Sequence, residues 1–366
     1  MPRVESLAVR GFRNLAAAQI PLGPGVNLVW GPNATGKTNL LEAIYTALAG
    51  RSCRTRNDRE AIAFGEPLGR AEAIVTGEAE RHEFITAIAR EGERRQLVDG
   101  SPATADHIAL RPPLAVFLPD RLVLVKGPPA GRRAHLDRLC AALWPGRAEA
   151  RRRYSRALAQ RNALLGRIRA GAGDAGSLDA WDAELAGAGV ELIAARREAA
   201  TLLAPGFADA AEALGLVGSI ELSYSPRSSA TSAADLAAEL RERRESDLGR
   251  GFTGHGPHLD ELDLRIDGRA IRRYGSQGQQ RIAVLALLFA EREALIGAGR
   301  PPPLMLLDDV TSELDADRRR LLCERLAGGG GQAVLTATEP AQLPASSRTE
   351  IPIREGRALS AASEAA

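Results

Sequence analysis

Val26-Asn-Leu-Val-Trp-Gly31-Pro-Asn-Ala-Thr-Gly-Lys-Thr38, followed by Asn-Leu-Leu-Glu-Ala-Ile-Tyr-Thr-Ala-Leu48, decides the fold class. The apolar run Val26–Trp30 reads as a strand, the next eight residues fit G-x-x-x-x-G-K-[ST] at every constrained position, and Lys37–Leu48 reads as a helix. Strand, glycine-rich loop and helix in that order build a phosphate cradle. The glycines let successive backbone N–H groups curl toward phosphate oxygens, and the helix presents its positive end to them. Gly31, Pro32, Asn33, Ala34, Thr35, Gly36, Lys37, Thr38 and Asn39 are the predicted nucleotide-binding residues. Lys37 is expected to bridge the β- and γ-phosphates, and the Thr38 hydroxyl to ligate Mg²⁺. A plain glycine-rich turn before an ordinary helix is the competing reading, and the strand on one side and helix on the other weigh against it.

A triphosphate with Mg²⁺ needs a hard oxygen ligand beside it, and Leu304-Met-Leu-Leu-Asp308-Asp309 supplies one at the end of an apolar strand. Asp308 is the expected metal ligand, directly or through water. Asp309 is placed to polarise an attacking water, so Lys37, Asp308 and Asp309 form the expected catalytic set. By themselves two aspartates after a strand are as readily a helix cap.

Working outward, the alternation of Val4–Arg10, Ala16–Leu22, Ala71–Thr76 and His82–Ala89 predicts strands, leading to a proline-bracketed strand Leu114–Leu118. Beyond Asp120 the texture becomes Ala, Arg, Leu and Glu with helical spacing, near Arg132–Ala142, Ala148–Ala170 and Ser177–Leu203. A strand Ser219–Tyr224 and a charged helix Ala233–Asp247 follow. Strand signals return at Leu262–Ile266, a helix begins after Ser276, and the continuously apolar Leu304–Leu307 suits the centre of a parallel sheet. The reading is an α/β head from residues 1–120 and 251–366, interrupted by a mainly helical arm over 121–250. The tail after Arg357 reads as frayed.

The 366 residues allow two domains with cores of their own. Cys53, Cys140 and Cys323 lie far apart with no C-x-x-C pair, which favours a reducing, cytoplasmic setting, and no signal peptide or membrane span is visible. A net charge of +2 excludes a uniformly basic coat. Of 48 basic residues two are lysines, Lys37 and Lys126, so a lysine retained among arginines marks Lys37 as a place for a compact ammonium.

Tyr274-Gly-Ser276-Gln277-Gly278-Gln279-Gln280-Arg281 resembles the signature motif of ATP-binding-cassette ATPases, and Ser312-Glu-Leu-Asp315 resembles their D-loop. Within that superfamily the chain most closely resembles the RecF family. The matching segments are Arg10–Asn14, Gly31–Asn39, Ser52–Thr55, Leu118–Leu122 with Val125–Gly127, Gln160–Asn162, Gly256–Asp260, Ser276–Arg281 and Leu306–Val310 with Ser312–Asp315. The resemblance implies an ATP-binding-cassette head with a short helical arm, ATP-dependent homodimerisation, weak DNA-stimulated ATP hydrolysis, and cooperation with RecR and RecO in loading RecA during DNA repair and replication. It also implies that Ser276, Gln277, Gly278 and Gln279 reach the nucleotide of a second subunit in trans, with Ser312 and Asp315 beside them. Two departures from transporter-type relatives are visible: Asp309 stands where glutamate is usual, and Thr-Ala-Thr-Glu339 carries no switch histidine. Both point to slow turnover.

Candidate DNA contacts are the arginine patches Arg51, Arg54 and Arg56, Arg132 and Arg133, Arg151, Arg152 and Arg153, and Arg241–Arg244. The bland alternative for each is a solvated helix face. His255 and His258 lack a third ligand nearby and read as a loop feature rather than a metal site. The chief rival to the whole reading is the nucleotide-binding subunit of an ATP-driven transporter, which the inserted helical block and missing switch histidine oppose.

Overall fold

A computed structural model describes residues 1–77, 80–104, 106–107, 110–118, 122–311, 314–328, 331–343 and 348–359. Its contacts divide the chain into Met1–Asp120 with Gly299–Ala366, and Arg121–Ala298. The expected division differs from this one: residues 251–298, assigned from sequence to the head, pack with the helical part. The cause is the Gln277–Gly297 helix, whose apolar side lies on the long helix Leu178–Ala213.

The first unit holds two sheets. β1 (Arg3–Arg10) pairs antiparallel with β2 (Ala18–Pro21) and with β4 (Leu68–Thr76), and β5 (Arg81–Ala89), β6 (Arg95–Val98) and β7 (Ser101–Pro102) extend that sheet. The second sheet is parallel. β3 (Val26–Trp30) lies between β13 (Ala333–Ala337) and β14 (Arg348–Arg354), and β12 (Leu304–Leu307) lies between β13 and β8 (Leu114–Phe117). Register puts Trp30 level with Ala337, and Leu307 level with Leu335, so the P-loop and Asp308 leave the same edge with β13 between them. Ligands of parallel sheets bind at this edge, beyond the carboxyl ends of the strands.

The Lys37–Ala49 helix joins the two sheets into one core. Leu40, Leu41, Ile44 and Leu48 are fully buried, among Val29, Leu306 and Val334 of the parallel sheet and Ala71, Ala73 and Phe84 of the antiparallel one. Each large side chain contributes roughly 2 kcal/mol relative to exposure. The burial alternates along Leu68–Thr76, as a one-faced antiparallel strand requires, while all four residues of Leu304–Leu307 are buried, as a central parallel strand requires. β15 (Arg357–Ala358) folds back on β14, and Leu359 donates its N–H to Pro352 O, so the chain is paired two residues beyond where fraying was expected.

The second unit is mainly helical. Pro129–Leu143, Ala148–Arg169 and Leu178–Ala213 pack together, and Tyr154, Leu185, Leu192, Leu236 and Leu240 form one buried cluster beside the last two. The third helix runs ten residues past its expected end and contains Pro205, because the buried stripe Leu203, Phe207, Ala210 and Ala211 continues through the proline. The charged segment expected as one helix is two, Ala233–Glu242 and Arg244–Arg250. A small antiparallel sheet orders β9 (Ile220–Ser225), β10 (Glu261–Ile266) and β11 (Arg269–Ala270).

Candidate nucleotide site

Gly31 and Gly36 are where backbone freedom is required. A Cβ on Gly31 would stand 2.2 Å from the Ile353 carbonyl oxygen of β14, and Gly36 precedes the helix at a φ of 110° that side-chain-bearing residues rarely adopt. Two neighbours brace the loop between them: the Asn14 amide donates to Ala34 O at 3.0 Å, and Gly356 N donates to Thr35 O at 2.9 Å. Neither brace is visible from the loop sequence.

Asn33, Ala34, Lys37, Thr38, Arg54 and Asp308 are among the residues lining a cleft of 370 Å³ over this loop. Lys37 Nζ donates to Gly31 O at 2.7 Å and Pro32 O at 2.8 Å, so the ammonium is pinned across the loop. Burial lowers its pKa, opposed by the nearby Asp308 and Asp309 carboxylates. On the far wall the Thr38 hydroxyl donates toward both oxygens of Asp308, at 3.0 and 2.9 Å. The Thr336 hydroxyl donates to Asp308 Oδ1 at 2.7 Å and accepts from Asp309 N at 2.8 Å. β13 therefore supplies the group that orients the aspartate. Burial raises the Asp308 pKa above the usual aspartate value, with the two threonine hydroxyls pulling the other way. Asp309 follows at a φ of 48°, a left-handed conformation that aspartate tolerates better than most residues. A carboxylate and a hydroxyl within hydrogen-bond reach, beside a pinned ammonium, form a hard-oxygen donor set of the kind Mg²⁺ takes beside phosphates.

Arg54, a candidate DNA contact from the sequence, lines the nucleotide cleft. Its Nη1 donates to Asn39 Oδ1 at 2.8 Å and Glu42 Oε2 at 3.2 Å. Glu42 is fully buried and also accepts from Arg13 Nε, Arg13 Nη2 and Ser52 Oγ. The buried glutamate on the P-loop helix thus holds the arginine at the cleft. Its position in an otherwise apolar helix run is the one sequence signal that could have exposed this arrangement.

In the second unit Ser276 caps the Gln277–Gly297 helix with a reciprocal capping box: its hydroxyl accepts from Gln279 N at 3.2 Å, and Gln279 Oε1 accepts from Ser276 N at 2.8 Å. A Cβ on Gly278 would have Ser276 Oγ at 4.0 Å as its nearest neighbour, which leaves the first helical turn open to approach. Asp315 caps the Ala316–Ala327 helix, accepting from Arg318 N at 2.9 Å, and Ser312 lies outside the described residues.

Of the remaining DNA candidates, Arg132 is corrected. Its guanidinium is 3% exposed, pairs with Glu261 at 2.7 Å and donates to the Val125 and Gly127 carbonyls, so it anchors the turn carrying Lys126 instead of facing solvent. Arg133 donates to Asp260 O, Arg151 pairs with Asp137, Arg152 with Glu149 and Arg153 with Glu191. Arg51 and Arg56 are exposed. His255 meets Glu239, and His258 joins the Tyr154 hydroxyl to the Thr253 carbonyl.

Residues 3–349 match the family model described as RecF/RecN/SMC N terminal domain. The DNA replication and repair protein RecF of Anaeromyxobacter sp. (strain Fw109-5) is 40% identical over 348 residues, 91% of this chain and 92% of that protein. The chain belongs to the RecF family. RecF of Heliobacterium modesticaldum is 38% identical, with 92% of each chain covered. The solved structure of the recombination mediator protein RecF-ATP in the RecFOR pathway superposes with a TM-score of 0.85 at 27% identity, covering 98% of both chains. An Smc head bound to the C-winged helix domain of ScpA, at 16% identity and a TM-score of 0.61, shares the fold. The fold is thus that of an ATP-binding-cassette-type ATPase head with added helices, and the RecF relatives place the chain among ATP-binding proteins of DNA replication, repair and recombination. Among the described residues no helix is long and apolar enough to cross a membrane.

Proposed function

We propose that the chain is an ATP-operated DNA clamp: two copies close around shared nucleotides on single-stranded or gapped DNA, and slow, DNA-stimulated hydrolysis releases them. The observation that carries this reading is the Thr38–Asp308 pair beside the pinned Lys37 in the cleft. Each composite site takes Lys37, Thr38, Asp308 and Asp309 from one copy and Ser276, Gly278 and Asp315 from the other. Thr38 and Asp308 would hold Mg²⁺, whose charge would offset that of the phosphates.

As the helix cap Ser276 accepts from Gln279 N, which leaves its own O–H free to donate to the phosphate beside its neighbours. The N–H groups of Gln277 and Gly278 occupy the first turn, where a helix has no internal acceptors, and they favour an anion arriving from a second chain. ATP then acts through differential affinity: its γ-phosphate is fully bound in the closed pair and partly bound in the open one. Loss of that phosphate loosens the clamp. A short aspartate at 309 and a threonine-lined β13 end, with Thr336 and Thr338 at the cleft, support slow turnover, in which nucleotide works chiefly as a closing ligand.

A role with RecR and RecO in loading RecA rests on family membership and on the RecFOR pathway named for the structural neighbour. The transporter-subunit reading has no supporting observation of its own. Light scattering on purified protein with ATP, with ADP and with neither, each with and without DNA, tests the proposal. A doubling of mass confined to ATP supports it, and an unchanged mass in all states rejects it.

A further inference from the structure

The small sheet ends in a basic groove that neither Ser276–Gln279 nor the nucleotide cleft accounts for. Arg265, Arg269, Arg272 and Arg273, with Asp263 as the acidic member of the lining, and Tyr274 surround a cleft of 460 Å³ on β10, β11 and the short helix Ile271–Tyr274. Arg272 lies 3.5 Å from Glu261 and Arg265 lies 3.9 Å from Asp263, so those two are partly neutralised. Arg269 and Arg273 are exposed and have no carboxylate partner among the described residues. Tyr274 is 69% exposed, an unusual setting for a large ring. Unpaired guanidinium groups around a concave surface repel one another unless an anion lies among them.

This surface is held firmly. Gly275 N donates to Ile271 O at 2.9 Å, and the Gln280 amide donates to Ile271 O at 3.2 Å and Gly275 O at 3.0 Å. A Cβ on Gly275 would meet Ile271 O at 2.7 Å. The arginine turn is thereby fastened to the first turn of the helix that Ser276 caps, and its guanidinium groups sit on a prearranged base.

We infer that this groove binds the phosphodiester backbone of single-stranded DNA, with Arg269 and Arg273 on phosphates and Tyr274 offering its face to a base. Phosphate contacts by arginine give affinity without sequence reading, and one exposed aromatic suits an unstacked base. The inference rests on the DNA-clamp reading above and assigns it a surface. It also moves the DNA contact away from the paired arginines at 132–133 and 151–153.

The test is fluorescence anisotropy of a labelled oligo-dT with the full chain and ATP, across a salt series, for wild type, Arg269→Ala/Arg273→Ala and Arg269→Lys/Arg273→Lys. Loss of two phosphate contacts is expected to weaken binding about tenfold or more at low salt, and to flatten the slope of log affinity against log salt by about 1.4. The double lysine variant, which keeps both charges, is expected to restore most of that slope and to exclude misfolding as the cause. Wild-type affinity and slope in the double alanine variant would overturn the groove assignment alone. Absence of DNA binding by wild type would overturn the clamp reading and the groove with it.

Discussion

The Thr38 hydroxyl and the Asp308 carboxylate, 270 residues apart in sequence, meet at 2.9 Å across the nucleotide cleft. One comes from the first turn after the P-loop and the other from the end of β12, and Thr336 on the strand between them fixes the aspartate from its other side. With Asp308 in its proposed place as the Mg²⁺ carboxylate, Asp308→Asn should cost several kcal/mol of transition-state stabilisation and lower ATP turnover by about a hundredfold or more. Thr38→Ser keeps a hydroxyl and should retain most activity, while Thr38→Val should not. Steady-state phosphate release measures all three.

Burial raises the Asp308 pKa, which sets the sign of two pH effects. If Asp308 takes Mg²⁺ as proposed, a proton would compete for it at a pH above that of an ordinary aspartate, and Mg²⁺-dependent ATP binding should weaken as pH falls through that range. For folding, the raised value means that the native state holds its proton more tightly than the unfolded chain. Stability is therefore lost as pH rises from the unfolded value through the folded one. At neutral pH and without nucleotide, Asp308→Asn should unfold at a temperature no lower than wild type, a trade of stability for function at this site. Calorimetry across pH checks both signs.

Glu42 carries the arginine of the cleft. Glu42→Ala would remove the acceptor that Arg13 and Arg54 share and leave each partly exposed guanidinium with one neutral acceptor, Glu60 O and Asn39 Oδ1, a cost of roughly 2 kcal/mol for the lost charge-assisted bonds. The expected result is a lower unfolding midpoint together with weaker ATP binding. Arg54→Ala should weaken ATP binding with a smaller loss of stability. Denaturant unfolding and nucleotide titration of both variants separate the two effects.

A buried arginine of the helical unit supports an independent prediction. Arg161 is fully buried, with Nε donating to Asp182 at 2.6 Å and Nη1 donating to Asp247 and Thr253, each at 2.8 Å. Arg161→Met leaves two carboxylates without their main partner, although Arg244 still reaches Asp182 and Arg250 still reaches Asp247. The expected destabilisation is about 3 kcal/mol, and Arg161→Met/Asp182→Leu should recover part of it. Urea unfolding of the single and double variants measures the coupling.

Wherever the information is local, the sequence could be read. The P-loop with its strand and helix, the apolar Leu304–Leu307 run and the helix start after Ser276 stand as expected, because spacing and capping chemistry are written in neighbouring residues. β14 was missed: its mixed sequence, with Pro352 inside, becomes a strand through parallel pairing with β3, more than 300 residues away. Arg132 departs from its expected exposed position for the same reason. An arginine in a polar stretch looks solvated until its carboxylate is found, and Glu261 lies 129 residues from Arg132.

Complementation tests most directly whether one nucleotide is gripped by two chains. Lys37→Met disables the P-loop and keeps an intact signature, while Ser276→Arg disables the signature and keeps an intact P-loop. Each variant alone should hydrolyse almost no ATP. Mixed in equal amounts, they should regain turnover, because a mixed pair rebuilds one complete site from the P-loop of the second and the signature of the first. A mixture as silent as its components, from variants that both remain folded, would contradict a site shared between copies.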